Sequence, residues 1–122
     1  MVLVDTSVWI RFLAAREPFA RGLDALLERE EVLAHEMVLG ELLVGDRGGR
    51  EALLASCERL PVAATIPHRE VVEFVRARRL PGRGIGWIDA HLLASTLVAG
   101  ARLWTADGPL GAAATALGVS YR

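Results

Sequence analysis

The chain has 122 residues, of which 52% are hydrophobic and 24% are charged, and its formal net charge is −1 at pH 7. This length predicts one domain over residues 1–122, and the near-neutral charge gives no bulk basic surface of the kind that nucleic-acid-binding proteins carry. Because all 14 basic side chains are arginines and Cys57 is the single cysteine, the sequence excludes P-loop and Schiff-base chemistry, internal disulfides and cysteine-rich zinc sites.

Short apolar runs alternate with helical patterns along the whole chain. The first half predicts a strand at 2–4 and then a helix that runs to about residue 15, with Thr6 and Ser7 as its N-cap candidates. A helix opened by Pro18, a strand at 32–34, and helices at 36–45 and 49–59 follow. The second half predicts a strand around Val62, helices at 68–79 and 87–99, a strand at 102–105, a helix opened by Pro109, and a strand around Val119. This alternation is typical of an α/β fold in which helices cover both faces of a parallel sheet.

Four acidic residues differ from the others because each stands alone in apolar surroundings: Asp5, Glu41, Asp89 and Asp107. Asp5 and Asp107 follow two predicted strands, and the carboxyl ends of strands form the edge at which open parallel sheets bind ligands. If those two strands are neighbours, all four carboxylates can converge in one crevice. Converging carboxylates need a divalent cation, and oxygen ligands alone favour Mg²⁺ or Mn²⁺ over zinc.

Each of these acids also has a structural interpretation of its own. Asp5 is a candidate helix cap, and Asp89 suits the dipole of a first helical turn. Asp107 is a candidate turn residue before Gly108, and Glu41 is a candidate half-exposed helix residue. The four acids in this order, on this alternating pattern, favour one shared site over four separate roles.

Four sequence blocks carry a resemblance that covers essentially the whole chain. They are Val-Leu-Val-Asp-Thr-Ser-Val-Trp-Ile at 2–10, His35 with Val-Leu-Gly-Glu-Leu at 38–42, Gly-Arg-Gly-Ile-Gly-Trp-Ile-Asp-Ala-His-Leu-Leu-Ala-Ser at 82–95, and Leu-Trp-Thr-Ala-Asp at 103–107. In these blocks the chain resembles PIN-domain ribonucleases of the VapC type, which are toxins of toxin–antitoxin pairs. The site acids of that family correspond here to Asp5, Glu41, Asp89 and Asp107.

The resemblance implies a PIN-like three-layer α/β/α fold with a short parallel sheet of four to five strands. It implies an active endoribonuclease, and we expect the four acids to be catalytic and to hold Mg²⁺ or Mn²⁺. The expected substrate is single-stranded or looped RNA, and in-line attack by a metal-bound water should leave a 5′-phosphate and a 3′-hydroxyl. A homodimer and a cognate antitoxin that covers the site are also implied. The chain departs from the family at Glu36, where relatives often have proline, and at Gly108 and Pro109, where relatives often have a basic residue that contacts phosphate.

Several residues near the acids are candidates for supporting roles. Thr6 and Thr105 can orient a carboxylate or a metal-bound water, or else serve as ordinary cap and strand residues. Five of the arginines lie between positions 69 and 83. We assign Arg83, the nearest to the site in sequence, and Arg79 to RNA binding, with favourable charge at a helix end as the alternative.

Eight apolar side chains of the first two predicted helices form a large apolar supply near Asp5: Val8, Trp9, Phe12, Leu13, Phe19, Leu23, Leu26 and Leu27. We expect part of this surface to form a groove for an amphipathic antitoxin segment and the remainder to close a two-fold dimer. Burial of all eight in the core is the alternative. Trp9, Trp87 and Trp104 are candidates for base stacking or for the core.

Two rival functions stay open on the sequence. One is a non-catalytic PIN-fold module that binds RNA or protein, and the other is a Mg²⁺-dependent phosphatase or phospho-acceptor, against which the absence of lysine counts. The chain begins without a basic leader and contains no apolar run of about 18 residues. With one unpaired cysteine, these features predict a reducing, cytoplasmic setting.

Overall fold

The computed structural model describes residues 1–122 and has an α/β architecture whose elements follow the predicted order. The elements are β1 (Val2–Val4), α1 (Thr6–Leu13), α2 (Phe19–Glu28), β2 (Val32–Leu33), α3 (Glu36–Val44), α4 (Glu51–Cys57), α5 (His68–Ala77), α6 (Trp87–Ala99), β3 (Arg102–Trp104) and α7 (Gly108–Ala116). None of these helices has the length and hydrophobicity that crossing a bilayer requires.

The sheet has three parallel strands in the order β2-β1-β3. Each neighbouring pair is joined through helices, as parallel pairing requires. The predicted count of four to five strands is too high, because the segments around Val62 and Val119 each contribute a single bridge, Ala34 with Val62 and Leu103 with Ser120. Pro61, which has no N–H to donate, precedes Val62 and limits pairing there.

Helix ends fall where local chemistry places them. Helix α6 ends at Gly100, which has a φ of +62° in the left-handed region that glycine adopts at little cost. Helix α1 begins at Thr6, so neither Thr6 nor Ser7 is its N-cap. Asp5 occupies the N-cap position, so both hydroxyl residues lie inside the first turn.

The core is one cluster of 23 buried apolar residues that draws on the chain from Val2 to Val119. It takes up much of the apolar surface of α1 and α2 on which a groove was expected, although Trp9, Phe12 and Leu27 still line a cavity of about 190 Å³. Four of the eight apolar side chains there are fully buried against the sheet: Val8, Trp9, Leu23 and Leu26. Three others, Phe12, Phe19 and Leu27, pack partly buried on the same core, and Leu13 is the exposed exception. More apolar surface is exposed at the end of α3, on Leu43 and Val44.

Candidate active site

The strands that lead to Asp5 and Asp107 are direct neighbours in the sheet. Strands β1 and β3 pair in parallel, and the Asp5 N–H donates to the Trp104 carbonyl at 3.0 Å. Asp5 follows β1 immediately, and Asp107 follows β3 after two residues. Both acids therefore lie at the carboxyl edge of the sheet, which was the condition for the four carboxylates to converge.

Asp5 is a buried carboxylate held by hydroxyl groups. Its side chain is 6% exposed, and although it occupies the N-cap position of α1, it accepts no backbone N–H of that helix. Its Oδ2 instead accepts hydrogen bonds from Ser7 Oγ and Thr105 Oγ1, each at 2.7 Å. Capping therefore does not explain this acid.

Ser7, which from its position in the sequence was only an N-cap candidate, is a residue of the site. Its hydroxyl donates to Asp5 and accepts the Ala106 N–H at 2.9 Å, while Thr105 Oγ1 accepts the Asp107 N–H at 3.0 Å. Ser7 Oγ and Thr105 Oγ1 are 3.3 Å apart, and because each hydroxyl has one proton, both protons go to Asp5. The two hydroxyls thus join the start of α1 to the segment before Asp107. The spacing of Ser7 two residues after Asp5 was the available sequence signal.

Glu41 is connected to the same end of α1 through Thr6. It lies in the middle of α3 with an exposed side chain, and its Oε1 accepts the Thr6 hydroxyl at 2.7 Å. Thr6 therefore contacts Glu41 rather than its neighbour Asp5. Thr105, the other predicted supporting residue, contacts Asp5 directly.

Asp89 and Asp107 each accept a backbone N–H at a helix start. The Oδ2 of Asp89, in the first turn of α6, accepts the Gly86 N–H at 2.9 Å. The Oδ2 of Asp107, at the N-cap of α7, accepts the Leu110 N–H at 3.0 Å. These bonds bear out part of the structural interpretations of both acids, but they occupy one oxygen of each carboxylate and leave the other without a protein donor.

The pKa of the Asp89 carboxyl group in this cluster departs from its ordinary value. Burial raises the pKa of Asp89 above its ordinary value, and the hydrogen bond from Gly86 opposes that rise. Three further negative charges raise the pKa of Asp89 as well: Asp5, Asp107 and Glu41. The only ion pair in the structure joins Arg29 to Glu31, so no arginine neutralises this cluster.

The donor set fits a hard divalent cation in its chemistry. All four side chains offer oxygen, and one oxygen of each carboxylate has no hydrogen-bond donor in the chain. No three acidic, histidine or cysteine side chains are already placed to hold one ion together.

A buried histidine fixes α3, which carries Glu41, against α6, which carries Asp89. His35 Nδ1 accepts the Met37 N–H at 3.1 Å, and its Nε2 is 3.0 Å from Ser95 Oγ. Since the Ser95 hydroxyl donates its proton to the Ala64 carbonyl at 2.9 Å, Nε2 is the donor to Ser95. Burial lowers the pKa of His35, which favours this neutral form.

The predicted RNA-binding arginines are exposed at the end of α5 and in the loop after it. Arg79 lies two residues after the end of α5, with a φ of +54°, and Arg83 lies in the predicted loop at 80–86. This loop packs beside the start of α7, because a Cβ on Gly84 would lie 3.5 Å from Pro109. Arg83 is therefore on a loop that borders the helix that Asp107 caps.

An open groove adjoins Glu41. It has a volume of about 590 Å³ and is lined by Met37, Gly40, Glu41, Val44, Gly45 and Ile88. Its lining combines apolar side chains of α3 with the residue before Asp89, so an apolar surface leads directly to two of the acids.

Two solved structures share this fold. The crystal structure of FitAcB from Neisseria gonorrhoeae matches with a TM-score of 0.67 and 20% identity, over 94% of each chain. The crystal structure of PAE2754 from Pyrobaculum aerophilum matches with a TM-score of 0.60 and 21% identity, over 92% of this chain and 83% of the other. At these identities the likeness is one of fold.

Sequence comparison gives the family. The chain is 46% identical over 121 residues to Ribonuclease VapC32 of two Mycobacterium tuberculosis strains, CDC 1551 / Oshkosh and ATCC 25618 / H37Rv, covering 98% of this chain and 95% of the relative. The model of the PIN domain matches residues 2–114, which include all four acids. The chain therefore belongs to the PIN domain family, as a member of its VapC type.

Proposed function

We propose that this protein is an endoribonuclease that hydrolyses RNA phosphodiester bonds and acts as the toxin of a type II toxin–antitoxin pair. The observation that carries the proposal is geometric: Asp5 and Asp107 follow two paired parallel strands, and the first turn of α1 donates hydrogen bonds to both Asp5 and Glu41. The similarity to a ribonuclease over almost the whole chain supports it. A non-catalytic PIN-fold module is the weaker alternative, since such a module has no use for four unneutralised acids.

The four carboxylates would hold one or two Mg²⁺ or Mn²⁺ ions through the oxygens that the chain leaves without donors. A bound ion of this kind supplies a water of lowered pKa and neutralises negative charge that develops on the phosphate. The chain's own contribution is orientation: Ser7 and Thr105 fix Asp5, and Thr6 fixes Glu41. No side chain of the cluster is needed as a nucleophile, so the products would carry a 5′-phosphate and a 3′-hydroxyl.

Binding of RNA requires cations near an acidic site. Arg83 and Arg79 supply them from the loop at 80–86 and the end of α5. Their exposed guanidinium groups would contact backbone phosphates, which attracts RNA without base preference.

The partners would be a cognate antitoxin and a second copy of the chain. The groove beside Glu41 has the apolar lining that an amphipathic segment needs, and a basic residue of that segment could reach Glu41. The cavity lined by Trp9, Phe12 and Leu27 is the second candidate, at the location expected on α1 and α2. A two-fold dimer would cover part of the remaining exposed apolar surface.

The decisive experiment is RNA cleavage by the purified protein with controlled cations. We expect cleavage with Mg²⁺ or Mn²⁺, none in excess chelator, and little with Ca²⁺, whose loose coordination positions an attacking water poorly. End analysis of the fragments should find 5′-phosphates. Cleavage that persists in excess chelator, or 2′,3′-cyclic phosphate ends, would contradict the mechanism. A trapped aspartyl-phosphate would instead support the phospho-acceptor alternative.

A further inference from the structure

Trp87 is the one tryptophan of the chain with a free face. It is 43% exposed, whereas Trp9 is 2% and Trp104 is 8% exposed. Trp87 is the first residue of α6, two positions before Asp89. A large aromatic ring left in water forgoes the stabilisation that its burial would bring, so the exposure of this one favours a role in binding.

Two imidazole rings hold the indole in place. His91 contacts Trp87 edge-on, with ring centroids 5.0 Å apart and planes at 89°, and His68 lies at 5.1 Å and 53°. His91 is 4% exposed, and its buried Nδ1 has no hydrogen-bond partner. An unpaired buried nitrogen destabilises the fold, and an aliphatic side chain would fill the position without that penalty. What the imidazole adds is an aromatic edge for Trp87.

Two surface features adjoin Trp87 and its neighbour His68, and each lies on a segment that carries arginines. On one side, an open groove of about 460 Å³ runs along α5 next to His68, lined by His68, Arg69, Val72, Glu73 and Arg76. On the other side, Trp87 lines a cavity together with Leu80, Pro81, Gly82 and Ile85 of the loop that carries Arg83. An aromatic ring between guanidinium groups matches a base between phosphates, which is the pattern of single-stranded nucleic-acid sites. An apolar peptide segment would leave these arginines without partners.

We propose that Trp87, backed by His68 and His91, is a stacking platform for one unpaired nucleobase of the bound RNA. Arg69 and Arg76 contact the phosphates that flank this base. The inference rests on the proposed ribonuclease function and assigns a residue to the expected preference for single-stranded RNA, because a base can stack on Trp87 only where the RNA is unpaired. Every base has a π-face, so the platform selects unpaired RNA rather than one particular base.

The first test needs no substitution at the platform. Because Trp9 and Trp104 are buried, acrylamide should quench mainly the emission of Trp87 in the folded protein. We expect a short mixed-sequence single-stranded RNA, added to the Asp5→Asn variant to prevent cleavage, to change this emission and protect it from acrylamide. The same sequence as a blunt duplex should do neither.

The second test compares variants at Trp87. Trp87→Ala should weaken binding of the single-stranded RNA about 5- to 100-fold, as the loss of one stacked base does, while Trp87→Phe should retain most of the affinity. The dependence of binding on salt should stay the same in Trp87→Ala, because no phosphate contact is removed. Val98→Ala, at another exposed apolar position of α6, is the matched control and should bind as the unchanged protein does.

The outcomes separate the inference from the function on which it rests. If the protein cuts RNA but Trp87→Ala binds single strands within about 2-fold of the parent and RNA leaves the emission unchanged, the platform is wrong and the ribonuclease function stands. If the emission responds to an antitoxin peptide and not to RNA, Trp87 is a protein contact and the platform is also wrong. If the unchanged protein neither binds nor cuts RNA, both proposals fail.

Discussion

Replacing Asp5 by asparagine separates the chemistry of the site from its stability. The substitution keeps the size of the side chain and an oxygen that can accept from Ser7 and Thr105, and it removes one negative charge. If Asp5 helps to hold a divalent cation, RNA cleavage should fall by about 100-fold or more, at least the loss that is typical of residues that merely orient metal ligands. The fold should survive because the hydrogen-bond pattern is retained.

The size of the stability effect follows from two opposing contributions. Each of the two hydroxyl hydrogen bonds at 2.7 Å loses its charge assistance, about 1 kcal/mol apiece. Against this, the substitution removes a buried charge that has no cationic partner, and such a charge destabilises by several kcal/mol when unpaired. We therefore expect Asp5→Asn to leave the melting temperature unchanged or raise it by up to about 8 °C.

The assay measures cleavage rate, Mn²⁺ affinity by calorimetry and thermal unfolding on the same preparations. Asp24→Asn, at an exposed acid of α2, is the control and should behave as the parent in all three. Ser7→Ala keeps the charge of Asp5 and removes one of its two hydroxyl donors, so it should give an intermediate loss of about 10- to 100-fold. Cleavage by Asp5→Asn within about 10-fold of the parent, or a lost activity explained by a fall in melting temperature, would refute the reasoning.

Four further predictions use other parts of the structure. Ser95→Ala leaves the buried Nε2 of His35 without a partner and should cost about 1–3 kcal/mol in thermal unfolding at pH 7; a shift below about 1 °C would argue against the bond. Burial lowers the pKa of His35 below its ordinary 6.5, so the unfolded chain binds this proton more readily than the folded chain does. The free energy of unfolding should therefore have its full value above pH 6.5 and fall below that pH. The fall should be less steep in His35→Asn. Burial raises the pKa of the Cys57 thiol from 9.0 to about 11. Alkylation of Cys57 at pH 8, followed by mass spectrometry, should therefore be at least about 100-fold slower in the folded protein than in denaturant. Equal rates would contradict the burial of this thiol. Arg83→Ala should weaken RNA binding about 5- to 30-fold and reduce by about 1 the slope of log affinity against log salt concentration, with unchanged melting temperature. Arg21→Ala is the exposed control. An unchanged slope with a lowered melting temperature would favour the helix-end role for Arg83.

The sequence was sufficient where local pattern and geometry agree. A short apolar run followed by an acid predicts a strand end, and parallel pairing then brings Asp5 and Asp107 to one edge. The pattern was insufficient where tertiary packing decides. The periodicity of α1 and α2 predicts an apolar face, but it is the same whether the core or a partner covers that face. The sequence alone therefore could not decide that Trp9 and Leu23 are buried in the core.

Ser7 illustrates a second limit of the sequence. Asp-Thr-Ser at the start of a helix is ordinary capping chemistry, and the sequence cannot tell which hydroxyl turns toward which carboxylate. The direction is set by α3 and by the segment after β3, since Thr6 reaches Glu41 while Ser7 reaches Asp5. Both partners are placed by contacts that are distant in sequence.

The use of hydroxyl and amide donors, rather than cations, to hold the acids has a physical consequence. An arginine paired with Asp5 would orient it equally well, but its charge would offset the carboxylate's and reduce the attraction for a divalent cation. Hydroxyls of Ser7 and Thr105 and the N–H of Gly86 fix the same geometry and leave each negative charge in place. Burial, and after it the charges of Asp5, Asp107 and Glu41, raise the pKa of Asp89, so this carboxylate would be stabilised by a nearby positive charge. Any positive charge that binds beside these carboxylates reduces their mutual repulsion. A metal ion and an arginine from an antitoxin would therefore compete for the same carboxylates.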